Sequence, residues 1–163
     1  MDFTALYPIQ ASLDERIHQA AQVTYESTFS DRLLALLTEI GECANETRCF
    51  KYWSKKPAAP RDIIREEFVD ILHFILSFGV AFHFEPVTPA ECGNDWPTSL
   101  SAAFVQFTTI AVAFGMTPFR SVYARLLGGY VRLAAQLGFS EEELVVAYRS
   151  KNQINHDRQT QGY

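Results

Sequence analysis

The chain has 163 residues, with 14 Lys and Arg against 19 Asp and Glu, a formal charge of −5 and 48% hydrophobic residues. That length suits a single domain over 1–163, able to bury ~70% of the surface its unfolded chain exposes. The apolar content, including 13 Phe, 7 Tyr and 2 Trp, excludes intrinsic disorder, and the acidic balance argues against binding nucleic acid or a membrane surface through bulk charge.

Helical periodicity dominates in chain order. The start, Met1-Asp2-Phe3-Thr4, lacks the basic and apolar regions of a signal peptide. Ser12 followed by Glu15 predicts a capping box that opens a helix to about Tyr25. Ser30 or Asp31 is expected to cap a second helix to about Trp53. After Lys-Lys-Pro-Ala-Ala-Pro, Pro60 suits the first turn of a third helix, which should end near Phe84 because Glu85-Pro86 and Thr88-Pro89 forbid its continuation. Residues 85–98, with Gly93, Asn94, Asp95 and Pro97, read as the longest loop. A fourth helix is expected over about 99–114, a fifth from Thr117-Pro118 to about Leu137, and a last one from a Ser140–Glu143 capping box to about Asn155. The fold class is therefore all-α, a bundle of about six helices. Gly128-Gly129 reads as close helix packing.

The apolar stretches Phe68–Phe84 and Leu100–Phe114 are shorter than the ~20 residues a membrane span needs. The first also carries Asp70, His73 and His83. Three cysteines (Cys43, Cys49, Cys92) without CxxC spacing indicate neither a disulfide framework nor a zinc knuckle. A cytoplasmic protein is expected.

Two carboxylate pairs stand out. Glu39-Ile-Gly-Glu42 lies on the second helix and Glu67-Phe-Val-Asp70 on the third. An i,i+3 spacing puts both acids of a pair on one helix face, where like charges repel by a few tenths of a kcal/mol. Four such oxygen donors on facing helices would suit Mg²⁺ or Mn²⁺ better than zinc. Glu39, Glu42 and Glu46 share an arc with Asp31 and Thr38, opposite Leu33, Leu36, Leu37 and Ile40; alone, that is an ordinary solvated face. Glu67 and Asp70 instead interrupt an arc with Ile63, Phe74 and Phe78, where charges need a partner or a metal. Glu66 and Glu46 lie close enough to substitute or support. His73, one turn beyond Asp70, reads equally as a satisfied core histidine or a site group.

Between the pairs, Arg48-Cys-Phe-Lys51-Tyr-Trp53-Ser-Lys55-Lys56 reverses the local charge. It can stack on a base while a cation holds phosphate, or it can simply end a helix. A second basic cluster follows Tyr148, where Lys151, Asn155 and Arg158 share one face if the last helix continues. A frayed, solvated terminus is the plainer account. No Gly-rich phosphate loop and no nucleophilic triad motif is present.

Taken together, EIGECANETRCFKYWSKK, REEFVDILHFILSFG and YRSKNQINHDRQTQGY resemble the dimeric, all-α dUTPase family within the MazG-like NTP pyrophosphatases. Gln10-x-x-Leu13-Asp14-x-x-Ile17 is similar to that family's first motif. The resemblance covers about 10–83 and 144–163. ExxE with ExxD is shared across the superfamily, whereas the FKYWS segment and the KNxxNxxRQxxGY tail are specific to the dUTPase branch. No family motif is evident in 85–140.

The resemblance implies hydrolysis of dUTP, and of dUDP, to dUMP with Mg²⁺, Mn²⁺ being a substitute, by a homodimer. Glu39, Glu42, Glu67 and Asp70 become the metal ligands, and Glu42 the group that orients or deprotonates the attacking water. Gln10, Asn45, Trp53 and His73 become candidates for holding uracil or deoxyribose. Lys51, Lys151, Asn155 and Arg158 become candidates for phosphates and sugar, within one subunit or across the dimer, with the tail as a lid. Magnesium would polarise the phosphoryl group and lower the pKa of the water. A relative acting on another nucleotide such as dCTP, or a non-catalytic helical interaction protein on the same scaffold, are the competing readings. One support for a dimer is the apolar surplus in the fourth and fifth helices: Phe104, Phe107, Ile110, Val112, Phe114 and Phe119.

Overall fold

A computed structural model describes residues 1–85, 87–90 and 95–162. Among them there are six α-helices and no strand: α1 Tyr7–Ala21, α2 Phe29–Thr47, α3 Arg61–Ala81, α4 Leu100–Met116, α5 Arg120–Leu137 and α6 Glu141–Thr160, with a 3₁₀ turn at Thr4–Leu6 ahead of them. Among the described residues no helix is long and apolar enough to cross a membrane. Pro86, Cys92, Gly93 and Asn94 of the expected 85–98 loop lie outside the described residues.

The helix ends follow local chemistry, and some differ from expectation. Ser140 caps α6 as expected: its side chain accepts from the Glu143 amide, and the Glu143 carboxylate accepts from the Ser140 amide. The Ser12–Glu15 box does not form. Pro8 sits in the first turn of α1, so the helix starts at Tyr7 and places Ser12 and Glu15 in its interior. Glu15 instead accepts from Gln19 one turn on, at 3.1 Å. In α2, Ser30 and Asp31 fall within the first turn, Asp31 serving as an acid near the helix N-terminus.

α2 stops well before Trp53, because Arg48 takes a left-handed conformation (φ 57°). Arg48 then reaches forward to the Lys56 carbonyl (3.1 Å) and to Ser54 Oγ (2.6 Å), which closes the basic–aromatic segment into a compact turn. α3 ends at Ala81 and α6 runs on to Thr160, so the tail reads as helix beyond Asn155. Gly138, at φ 74°, ends α5 in the left-handed region that glycine adopts most easily.

α3 is the central element. Its residues Phe68 to Gly79 are buried at ten positions, and it packs against α1, α2, α5 and α6, while α4 packs on α2 and α5. Aromatic rings fill the centre. Phe68 stacks on Tyr130 with centroids 4.2 Å apart, and Tyr130 donates to the Phe68 carbonyl at 3.2 Å. Tyr123 donates to the Ile75 carbonyl (3.0 Å) and meets the Tyr7 hydroxyl at 3.0 Å, so buried hydroxyls are satisfied where their rings pack. Close approach explains three glycines. A Cβ on Gly79 would lie 2.3 Å from the Tyr123 hydroxyl and one on Gly129 2.9 Å from Phe107. On Gly128 it would meet the Ala90 carbonyl at 2.0 Å, so that glycine packs on the 87–90 segment and not on a helix.

The apolar surplus of α4 and α5 is mostly used within the subunit. Phe104, Phe107, Ile110 and Phe114 are buried, whereas Val112 and Phe119 remain exposed. Val105, Met116 and, from α2, Leu34 are exposed as well.

Candidate active site

α2 and α3 lie side by side, and their ExxE and ExxD faces meet. One carboxylate oxygen from each of Glu39, Glu67 and Asp70 falls within 4.8 Å of the other two. Glu39 is half-buried, so the solvated-face reading of the α2 acids fails for it: α3 covers it, and burial together with the charges of Asp70, Glu42 and Glu67 pushes its carboxyl up to about 7. Burial and the charges of Asp70 and Glu42 raise Glu67, and burial raises Asp70. Glu42 lies exposed one turn on, outside the three-oxygen group but near enough for its charge to act on Glu39 and Glu67. A compact set of hard, partly dehydrated oxygens that raise one another's proton affinity is a fit donor set for a divalent cation.

α6 supplies the opposite sign. Lys151 Nζ lies 2.6 Å from Asp70 Oδ2 and 3.3 Å from Glu66 Oε1. The Arg158 charge also acts on Asp70, and Asn155, half-buried, lies one turn from Lys151 on the same helix. The tail of α6 therefore runs along the acid face.

A second buried group adjoins the first through α3. His73 follows Asp70 by one turn and is 6% exposed. Its Nδ1 contacts Gln10 Oε1 at 2.9 Å, and the same oxygen accepts from the Tyr148 hydroxyl at 2.6 Å. Gln10 Nε2 donates to Asp14 Oδ1 (2.6 Å), and Asp14 Oδ2 accepts from Tyr25 (3.0 Å). Burial lowers His73 to about 3, so its ring is neutral. Its Nε2 is buried with no hydrogen-bond partner among the described residues. The network joins α1, α3 and α6. Asp14 and Tyr148 belong to it, although the sequence motifs that contain them assigned neither a role.

The basic–aromatic turn holds the remaining candidates. Lys51 donates to Asn45 Oδ1, and Asn45 Nδ2 donates to Glu46 Oε1 at 3.1 Å. Trp53 is two-thirds exposed and packs edge-on against Tyr52, with centroids 5.0 Å apart. Its exposed ring is a surface on which a planar ligand can stack.

Acids for a cation, spaced cations for phosphate and a buried polar cluster beside them form the chemistry of a metal–nucleotide site. A search of curated proteins returns no match. A family model described as dUTPase matches residues 2–163.

The chain belongs to the all-α dUTPase family. The match spans 85–140 as well, where sequence motifs were silent. The protein is thus a dUTP diphosphatase acting on a nucleotide substrate, and its acid cluster can hold a divalent metal. In this dUTPase, α2 and α3 supply the acids, α6 the nearest cation, and α1 with α3 and α6 the buried polar cluster.

Proposed function

We propose that the enzyme hydrolyses dUTP, and also dUDP, to dUMP with Mg²⁺ held by Glu39, Glu67 and Asp70, with Glu42 at the mouth of the cluster. The convergence of three carboxylate oxygens from two helices within 4.8 Å carries this reading. When bound, the ion supplies charge neutralisation and polarisation of the phosphate chain. The protein's own residues do the rest. In this reading Glu42, exposed and outside the oxygen group, orients a water and takes its proton. Lys151 moves from Asp70 to the phosphate oxygens, with Lys51 and Arg158 adding positive charge and Asn155 a polar contact to the sugar. Trp53 stacks on the uracil with Asn45 beside it, while Gln10 and His73 form the polar floor for the nucleoside. Such a floor rejects bases whose hydrogen-bonding pattern leaves its groups unpaired.

The test is hydrolysis of dUTP, dUDP and dCTP by purified protein, with Mg²⁺, with Mn²⁺ and with EDTA, identifying dUMP as product. Loss of turnover in EDTA and in Glu67→Gln, with helical circular dichroism retained, is expected. Unchanged turnover in either case would refute the metal assignment.

We further propose that the enzyme is a homodimer, as the family resemblance implies. The exposed Val105 and Val112 line a groove of ≈ 560 Å³ between α2 and α4, together with Leu37, Phe50 and Phe104. Exposed apolar surface of this kind favours a protein partner, and a second copy satisfies it symmetrically. Light scattering should give twice the chain mass, and Val105→Glu should give the monomer. A wild-type monomer would refute the assignment.

A further inference from the structure

The buried cluster beside the acids contains an acceptor whose direction is fixed by residues remote from it. Asp14 lies on α1, 6% exposed, and its carboxylate faces donors: Gln10 Nε2 at 2.6 Å, the Tyr25 hydroxyl at 3.0 Å and the Ser77 hydroxyl. Burial raises the Asp14 carboxyl, while the bonds from Ser77, Gln10 and Tyr25 and the Arg32 charge favour its ionised form; that form only accepts, so the Gln10 amide presents its nitrogen to Asp14. Its oxygen must then face the other way, where it meets Tyr148 and His73 Nδ1. Both of those must donate to it. A neutral imidazole carries one proton, and a donor at Nδ1 leaves Nε2 with a bare lone pair. That Nε2 is the atom buried without a partner. Stacking on Tyr148, with centroids 4.1 Å apart, holds the ring in place. Asp14 is itself locked, because Tyr25 lies under the Arg32 guanidinium (4.9 Å) and Arg32 bonds the Tyr25 carbonyl and Ser77 Oγ.

We propose that Asp14, acting through Gln10, is a positioning residue that fixes His73 in the Nδ1–H form, so that Nε2 accepts a hydrogen bond from the N3–H of the uracil ring. This rests on the reading of His73 as a nucleoside-binding group. Uracil N3 carries an obligatory proton, whereas cytosine N3 is a lone pair. A fixed acceptor therefore pairs with uracil and repels cytosine, and leaving a buried acceptor unpaired adds to the discrimination. A sugar hydroxyl, which donates or accepts equally well, would need no fixed tautomer.

The test has two parts. First, long-range ¹H–¹⁵N spectra are taken on wild-type protein with ¹⁵N-labelled histidine, the four histidines being resolved with a His73→Gln variant. His73 should show a protonated Nδ1 and an unprotonated Nε2, and dUMP should shift Nε2 while dCMP does not. A protonated Nε2 in the free protein, or equal responses to dUMP and dCMP, would overturn the inference. Second, the ratio of kcat/KM for dUTP over dCTP is measured in Asp14→Asn and Asp14→Leu. Asparagine keeps an accepting oxygen and should hold the ratio within about threefold. Leucine frees the Gln10 amide to turn over, moves the proton to Nε2 and should lower the ratio at least about tenfold, one fixed hydrogen bond being worth that much. A folded Asp14→Leu protein with the wild-type ratio and tautomer would refute the relay. If Asp14→Leu does not fold, the wild-type spectra decide alone. Absence of dUTP turnover in the wild-type protein would refute the activity, and the tautomer measurement would still decide this inference.

Discussion

Replacing Lys151 by Met removes the cation that sits on the acid cluster while keeping most of the side-chain volume. Lys151 and Asp70 are 14% and 17% exposed, so solvent screens their 2.6 Å contact little. Unit charges ~4 Å apart at an effective dielectric near 20 attract by about 4 kcal/mol before desolvation. The lysine's own dehydration offsets part of that, but removing it leaves Asp70 beside Glu39, Glu66 and Glu67 without its contacting cation, the Arg158 charge still acting on it. A loss of about 2–3 kcal/mol in the metal-free protein follows, which for a chain of this size lowers Tm by about 5–10 °C. Mg²⁺ bound at the cluster as proposed would supply the missing charge, so the rise in Tm between EDTA and saturating Mg²⁺ should be larger in the variant than in the wild type. Calorimetry of both proteins in both conditions measures the two differences. An equal Tm in EDTA, or an equal Mg²⁺-induced rise, would refute the reasoning.

Other consequences are as direct. The folded Glu39 carboxyl, raised from 4.5 to about 7, binds more protons than the unfolded one between those values. Its contribution to stability is therefore full below the unfolded value and lost as pH climbs, so the Tm of EDTA-treated protein should fall between about pH 5 and 8, less steeply in Glu39→Gln; an identical profile for the two proteins would contradict this. Gly79→Ala drives a methyl into Tyr123 and Tyr7 and should cost about 1–3 kcal/mol, read as a lower midpoint in urea. Ser140→Ala removes the α6 cap and should lower stability by about 1 kcal/mol while leaving kcat/KM for dUTP unchanged, since the cap lies at the far end of the helix from Asn155 and Arg158.

What the sequence made legible was local. The i,i+3 acid pairs, the Ser140–Glu143 box and the helix count follow from spacing along one chain segment, and the structure repeats them. Where two local signals competed, the weaker one could mislead: Pro8 starts α1 five residues before the Ser12–Glu15 pattern. The left-handed Arg48 that ends α2 had no glycine to announce it. Glu39 and Glu42 share one helical arc, yet α3 covers one and leaves the other exposed, a difference set by packing. Phe104, Phe107, Ile110 and Phe114 looked surplus because the demand for them comes from α2 and α5. Asp14 and Tyr148, present in the quoted motifs, were given no role for the same reason, since 134 positions separate them in sequence and Gln10 joins them only in the folded molecule.

α3 is both the centre of the core and the bearer of Glu67, Asp70 and His73, and this divides the site by timescale. Amides from Phe68 to Gly79, buried on every side that packs, exchange with solvent only when the whole domain opens. The last turns of α6, tied to α1 where Arg16 meets Thr160, follow the helix's buried positions Leu144, Tyr148 and Asn152 and open locally at lower cost. The acids, with Lys151 set between buried Tyr148 and Asn152, thus live as long as the fold, while the turns that carry Arg158 can open many times within that life. If Asn155 and Arg158 meet the substrate as proposed, masking the last turns of α6 would remove those contacts without unfolding the helical body.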